Sequence, residues 1–305
     1  MPRTFDFVQV DVFTRTRLQG NSLAVFVDAS GLSDAEMQAL AKEMNLSETT
    51  FIFPREAATE KKEGKKVRIF TVAEELPFAG HPTLGTALYL HASQSADEAE
   101  SKQIVLDLRV GKIPVRVDGD GKIGTSRVDG KSFGEMRQRD SEFGKILPRE
   151  EVAKCLGIDV DRIVSEWPSQ VVSTGLPFAI VPMRSAEELS ELQPGFSAEH
   201  LLKGTGAKFI YFLAVKQGSD RLEARARMFF YGGEDPATGS AAGCAASWMA
   251  KYGIAKSDEQ VLIRQGMEMN RPSEIYVRAD RNGDQVTNVR VGGYAVEILR
   301  GTVTL

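Results

Sequence analysis

The chain has 305 residues, 42% of them hydrophobic and 26% charged, a composition typical of a globular protein of one or two domains. Its net charge of −4 argues against a surface that binds nucleic acid or an anionic membrane. The two cysteines, Cys155 and Cys244, are too few for a disulfide framework, and no Cys/His cluster has the spacing of a metal site. The N-terminal segment lacks a signal-peptide core and no apolar run could span a bilayer, so we expect a cytoplasmic protein.

The first half of the chain combines short strands with one clear helix. Ser33 and Glu36 form a capping box at the helix start, and an apolar face follows from Met37 to Met44. The mixed-charge segment 56–66 is typical of an exposed hairpin loop. Alternation and apolar runs predict strands at 5–13, 22–27, 49–54, 104–108 and 113–117.

The second half contains more strands than helices. Two short helices are predicted at 148–156 and 197–202. The predicted strands are 178–182, 208–215, 260–264, 274–278, 286–291 and 295–299. Strands therefore dominate both halves, which favours an α+β fold.

The stretch 226–250 changes from an apolar strand, through a Gly-Gly turn, to a helix made almost entirely of small residues. Pro236 suits the first helical position, where its missing N–H costs nothing. This spacing predicts Asp235 as the N-cap, with its carboxylate bonded to the first turn. Because residues 237–246 have little side chain of their own, other elements must pack closely around this helix.

A second copy of this pattern indicates an internal duplication. Three segments recur in the same order, about half the chain apart: Gly20–Phe26 with Gly175–Val181, Arg68–Phe70 with Arg227–Phe229, and His81–Ala87 with Asp235–Ala241. The first copy has five extra residues before its helix. We therefore predict two similar domains, each a curved mixed sheet or barrel wrapped round a central helix, whose helix N-termini face one cleft. The expected boundaries are 1–120, completed by 295–305, and 121–294.

Two glycine patterns do not indicate nucleotide binding. Gly119–Gly124 fits GxGxxG but lies between two strand patterns, whereas a dinucleotide site needs a helix after it. Gly80–Thr86 is similar to a phosphate loop but lacks the lysine. We predict that neither a nucleotide nor a metal is needed.

Glu48 is the first candidate for chemistry. It lies between the end of a helix and an apolar strand, so its surroundings are partly apolar. A carboxylate in such surroundings has a raised pKa and can exchange protons near neutral pH. From its position alone, a solvated loop glutamate is the better explanation, but the polar cluster Asn45–Thr50 is unusual at the entry of a strand.

His81 and Asp235 are the second candidates, since they occupy equivalent places in the two copies. Both are explained as helix caps, but a histidine facing an aspartate across a cleft would also bind a substrate amine or hydroxyl. The N–H groups at Gly80, Gly239 and Ser240 would bind a substrate carboxylate. Asn21 is placed either to contact the ligand or to form a turn.

The segments GNSLAVF, NLSETTF, ELPFAGHPTLGTA, DPATGSAAG and RPS resemble the PhzF-like phenazine-biosynthesis family over essentially the whole chain. This resemblance implies a diaminopimelate epimerase-like fold and a cofactor-free isomerase that moves a proton on a small cyclic or amino-acid-like carboxylate. It implies that Glu48 is the acid and base, while His81 and Asp235 position the substrate. A small-molecule substrate and a homodimer are the expected partners.

The same fold also allows other reactions. Epimerases of this fold use a thiol at each helix N-terminus, whereas this chain has His81–Pro82 and Asp235–Pro236 there. Cys244 lies about two turns further along, so two-thiol racemisation is not expected. A racemase or epimerase that uses a carboxylate stays open, as does a ligand-binding protein that has lost turnover.

Overall fold

The computed structural model describes residues 2–94, 102–119, 121, 123–193, 195, 198–216, 222–230 and 233–305. The strands in these ranges are β1 Thr4–Val12, β2 Asn21–Phe26, β3 Glu48–Phe53, β4 Lys65–Phe70, β5 Glu75–Leu76, β6 Gln103–Leu108, β7 Gly111–Gly119, β8 Ser132–Arg137, β9 Glu142–Leu147, β10 Ser169–Ser173, β11 Pro177–Pro182, β12 Ile210–Lys216, β13 Glu223–Phe230, β14 Gly233–Glu234, β15 Val261–Gln265, β16 Ser273–Asn282, β17 Gln285–Gly293 and β18 Ala295–Thr304. The α-helices are α1 Asp34–Met44, α2 Ala57–Glu63, α3 Gly80–Ser93, α4 Arg149–Leu156, α5 Ala186–Ser190, α6 Glu199–Leu202 and α7 Gly239–Lys251.

The chain divides into two compact units. The first comprises Met1–Met136 with Gly292–Leu305, and the second comprises Arg137–Val291. The first unit extends beyond the predicted boundary at 120 because β8 pairs antiparallel with β7, with Met136 opposite Val115.

The strands of the first unit form a mixed sheet. Its order is β18–β1–β2–β3–β4–β6–β7–β8, and the short strand β5 pairs with β4. The β2–β3 and β4–β6 pairs are parallel, and the other pairs in this order are antiparallel.

The second unit repeats this order. Its strands run β9–β10–β11–β12–β13–β15–β16, and the short strand β14 pairs with β13. The parallel pairs, β11–β12 and β13–β15, fall in the same places as in the first unit. The internal similarity in the sequence therefore corresponds to one strand topology used twice, and the α+β class is confirmed.

One buried helix packs against each sheet. Helix α3 is buried at 11 of its 14 residues and contacts β1, β2, β3, β6 and β7. Helix α7 is buried at 11 of its 13 residues and contacts β10, β11, β12 and β16. Small residues permit this close approach, since a Cβ on Gly85 would lie 2.7 Å from Val12 Cγ2. Because strands from across each sheet reach the helix, each sheet curves around it.

The helix starts differ from the prediction that His81 and Asp235 are N-caps, which is wrong. Helix α3 begins at Gly80, so His81 lies inside its first turn. Helix α7 begins only at Gly239, so Asp235 precedes it by four residues. Asp235 instead extends the β13–β14 hairpin, because its N–H donates to the Met228 carbonyl at 3.0 Å.

The predicted hairpin loop at 56–66 is also wrong. Residues 57–63 form α2, and β4 begins at Lys65. The sequence AATEKKE consists mostly of good helix formers, and the pattern of charges alone does not indicate this.

Parts of three other predictions lie outside the described residues: the Gly-Gly turn at 232, positions 120 and 122 of the GxGxxG pattern, and the helix start at 197.

Candidate active site

The first unit brings Glu48 and His81 together. Glu48 is the first residue of β3, opposite Leu23 of the parallel strand β2, and His81 is the second residue of α3. Their side chains approach with Glu48 Oε2 3.5 Å from His81 Nε2. The side chains are only 16% and 5% exposed. The structure therefore places the predicted acid–base residue beside one predicted substrate-positioning residue.

The surroundings of His81 fix its protonation. Burial lowers its pKa to about 3, although a hydrogen bond to the backbone of Ser22 acts in the opposite direction. Nε2 is buried and has no hydrogen-bond partner among the described residues, so the bond to Ser22 uses Nδ1. His81 is therefore a neutral ring at physiological pH, and its Nε2 lone pair is directed toward Glu48.

Other predicted residues of the first unit lie at the ends of the same elements. Asn21 is the buried first residue of β2, and Gly80 is the buried first residue of α3. The fully buried carboxylate of Asp11, which was not predicted, accepts hydrogen bonds from Ser22 Oγ at 2.8 Å and the Leu18 N–H at 2.7 Å. Asp11 therefore links the start of β2 to the loop before it.

In the second unit, Asp235 lies just before α7. Its Oδ2 accepts a hydrogen bond from the Thr238 hydroxyl at 2.6 Å. Its carbonyl accepts one from Gln265 Nε2 at 2.7 Å. Gly239 and Ser240 are the first two residues of α7, the former buried and the latter partly exposed. The predicted residues of this unit are thus also neighbours along one loop and helix start.

A pair of salt bridges, one in each unit, was missed by sequence reasoning. Arg68 binds Glu75 through two bonds of 2.8 and 2.6 Å, and Arg227 binds Glu234 through two bonds of 2.9 and 2.8 Å. Each pair closes the short hairpin that leads toward His81 or Asp235. The equal seven-residue spacing of Arg and Glu in the two copies could have revealed them. The five extra residues of the first copy therefore lie after Glu75.

The matching strands differ at the position of Glu48. Phe51 pairs with Arg68 in the first unit, and Phe212 pairs with Arg227 in the second. Counting back three residues from each phenylalanine, Glu48 corresponds to Phe209. The second unit therefore has an apolar side chain where the first has a carboxylate.

The cysteine of the central helix is not suited to proton transfer. Cys244 is fully buried in α7, and its Sγ lies 3.5 Å from Thr174 Oγ1. Burial raises the pKa of this thiol to about 11. At neutral pH the thiol is protonated, so it is a poor base.

In the described ranges, no group of three or more His, Cys, Asp or Glu side chains is arranged to hold a metal ion. None of the helices in those same ranges has both the length and the hydropathy required to cross a membrane.

The neutral state of buried His81 predicts a dependence of stability on pH. An unfolded histidine takes up a proton near pH 6.5, whereas the folded ring does so only near pH 3. The contribution of the neutral His81 ring to the free energy of unfolding is therefore fully present above pH 6.5, and it is lost as the pH falls toward 3. Between pH 7 and 5, the free energy of unfolding of the wild type should fall by about 2 kcal/mol more than that of His81→Gln. Urea denaturation at both pH values measures this difference.

The control for this experiment is His200→Gln, because His200 lies exposed on α6. Its unfolding free energy should follow the wild type at both pH values. A constant difference between wild type and His81→Gln across the pH range would contradict a neutral buried ring.

Comparison with known proteins identifies the family. Residues 10–301 match the PhzC–PhzF family model, described as phenazine biosynthesis-like protein. The trans-2,3-dihydro-3-hydroxyanthranilate isomerase of Pseudomonas chlororaphis is 35% identical, and the alignment covers 98% of this chain and 99% of that protein.

Solved structures support the same relationship. A predicted epimerase from Pseudomonas aeruginosa is 33% identical with a TM-score of 0.78, over 98% of this chain and 99% of its own. A hydroxyproline epimerase from Agrobacterium vitis shares the fold alone, with 13% identity and a TM-score of 0.62 over 99% of this chain and 93% of its own. The diaminopimelate epimerase-like fold is thus confirmed. The chain belongs to the phenazine biosynthesis-like family and is an isomerase of that family.

Proposed function

We propose that this isomerase uses one carboxylate, Glu48, to remove a proton and return it elsewhere on the same substrate. Glu48 takes the proton from a carbon beside a double bond, and the C–H electron pair shifts that double bond by one position. The same carboxyl group then returns the proton at the far end of the shifted system. The step moves one proton within the substrate, so it consumes no oxidant, reductant or group donor.

The observation that carries this proposal is the asymmetry between the two units. Glu48 Oε2 lies 3.5 Å from the neutral ring of His81, whereas the matching position of the second unit is Phe209. A two-base inversion needs a proton-exchanging group on each side of the substrate, and the second unit has none at the position that matches Glu48, whereas a migration on one side needs only one. The arrangement therefore favours isomerisation over racemisation.

We propose a small cyclic amino acid of the trans-2,3-dihydro-3-hydroxyanthranilate class as the substrate, since that is the compound named for the relative from Pseudomonas chlororaphis. The N–H groups at Gly80, Gly239 and Ser240 would bind its carboxylate. His81 Nε2 can accept a hydrogen bond from its amine or hydroxyl, and Asp235 can bind the amine. Asn21 would contact the same molecule.

We further propose that the enzyme works without metal or nucleotide, in the cytoplasm and as a homodimer. Activity after chelation tests the first point. Sedimentation equilibrium of the purified chain tests the assembly, and fractionation of cells tests the location.

Incubation with trans-2,3-dihydro-3-hydroxyanthranilate in D2O tests the function. The expected result is a product with a shifted double bond that carries deuterium, detected by mass spectrometry and ultraviolet absorbance. Deuterium uptake with inversion, and no bond migration, would instead indicate a carboxylate racemase. Binding without any deuterium uptake would indicate a ligand-binding protein.

A further inference from the structure

We propose that Gln265 is a positioning residue that holds Asp235 in its working orientation, an inference that rests on the proposed function. Gln265 is the last residue of β15 and its side chain is 0% exposed. It belongs neither to the duplicated motifs nor to the predicted site. Its amide nevertheless contacts the loop that carries Asp235 through three hydrogen bonds.

Every hydrogen-bonding position of the Gln265 amide is used. Nε2 donates to the Asp235 carbonyl at 2.7 Å and to Thr238 Oγ1 at 2.9 Å. Oε1 accepts from the Thr238 N–H at 3.2 Å and from the Tyr211 hydroxyl at 3.0 Å. A buried amide with two donors and two acceptors satisfied has only one favourable orientation. It therefore acts as a fixed template for residues 235–238.

This template also sets the direction of the Thr238 hydroxyl. Thr238 Oγ1 accepts from Gln265, so its own proton is free to point at Asp235 Oδ2, 2.6 Å away. One carboxylate oxygen of Asp235 is thereby held by the protein. Because both oxygens belong to one planar group, this bond restrains the orientation of the whole Asp235 carboxylate, which we propose binds the substrate amine.

The backbone on either side strengthens the restraint. A Cβ on Gly266, the next residue after Gln265, would lie 2.7 Å from the Pro236 carbonyl oxygen. The two chain segments are thus packed backbone to backbone. Because the Thr238 N–H immediately before α7 also bonds to Gln265, the helix start and Asp235 are positioned by one side chain.

The test uses Gln265→Leu, assayed with trans-2,3-dihydro-3-hydroxyanthranilate. Misplacing a substrate-contacting group by about 1 Å costs on the order of 10²-fold in rate, so kcat/KM should fall by about that factor, with KM raised and kcat lowered. Gln265→Glu keeps the volume and the acceptors but loses the donors when ionised, and should show the same fall. It carries the test if Gln265→Leu does not fold.

The matched control is Gln170→Leu. Gln170 is also buried, and its amide likewise donates to a carbonyl, that of Gly144, and accepts from a tyrosine, Tyr252. It lies on β10 and has no hydrogen bond to residues 235–238 in the described chain. Its urea midpoint should fall about as far as that of Gln265→Leu, while kcat/KM stays within about twofold of wild type. Equal losses of kcat/KM in the two variants would overturn the proposal.

A double-mutant cycle separates positioning from general damage. Thr238→Val removes the hydroxyl that joins Gln265 to the Asp235 carboxylate, so the losses of kcat in Thr238→Val and Gln265→Leu should be less than additive in the double variant. Fully additive losses would contradict a shared path to Asp235.

The Asp235→Ala variant distinguishes failure of this proposal from failure of the proposed function. If Asp235→Ala leaves turnover unchanged, the proposed role of Asp235 fails. If Asp235→Ala is inactive but Gln265→Leu matches Gln170→Leu, only the role of Gln265 fails. Calorimetric binding of 3-hydroxyanthranilate, the aromatic form of the skeleton, should weaken in Gln265→Leu but not in Gln170→Leu.

Discussion

Replacing Glu48 by glutamine should lower turnover by on the order of 10²–10⁴-fold, because general acid–base catalysis by one placed group is worth about that much. Glutamine preserves the size of the side chain and most of its hydrogen bonding but cannot exchange a proton. His81 cannot substitute as the base. Its pKa is about 3, so the neutral ring holds an abstracted proton too weakly to drive the reaction at neutral pH.

The measurement is deuterium incorporation into trans-2,3-dihydro-3-hydroxyanthranilate, together with binding of the non-reacting 3-hydroxyanthranilate. Affinity for this ligand should change little, since only the proton-exchanging group has been altered. The control is Glu43→Gln, because Glu43 is an exposed residue of α1 close in sequence. Near wild-type exchange by Glu48→Gln would move the base elsewhere, and Asp235 would be the next candidate.

Replacing Arg227 by methionine should lower the free energy of unfolding by about 3–5 kcal/mol, the usual cost of breaking a buried ion pair from one side. Arg227 is 4% exposed and stacks on Phe229, with its guanidinium 4.6 Å from the ring centre. The substitution leaves the carboxylate of Glu234, whose side chain is only 11% exposed, without its partner. It also removes the donor to the carbonyls of Leu189, Ser190 and Leu192.

The matching residue of the first unit provides the comparison. Arg68→Met should cost less, because Arg68 shares its charge with Asp34, a side chain that is 81% exposed. Adding Glu234→Gln to Arg227→Met should recover part of the loss, since the charge of the Glu234 carboxylate is then removed together with that of its partner. Urea denaturation of all three variants measures these differences. An Arg227→Met variant no less stable than Arg68→Met would show that burial does not control the cost.

The duplication could be predicted from sequence because it depends on residues whose roles are local. Arg68 and Arg227 occupy the same place on the corresponding strands, and each is followed two residues later by a phenylalanine of that strand. Such short patterns remain recognisable in the sequence because each element must pair and pack in the same way in both units. The strand order of the two sheets then follows from the repeat.

The helix starts could not be predicted in the same way. The local pattern assigned the cap of the second helix to Asp235, but a side chain far downstream, Gln265, provides the acceptor for the Thr238 N–H. Similarly, Glu48 and His81 were each predicted, yet their contact depends on the register of β3 against β2, with Leu23 opposite Glu48. Residues distant in sequence supply these interactions, so a local pattern cannot reveal them.

The placement of β18 beside β1 determines the order in which the chain can fold during synthesis. Thr4 pairs with Thr304, so β1 has only one neighbour, β2, until the residues of β18 are made. Before β18 is made, the other edge of β1 has unpaired backbone groups that can pair with other chains. The second unit, Arg137–Val291, is continuous and is synthesised before β18. The first unit therefore begins to be synthesised before the second unit but can be completed only after it.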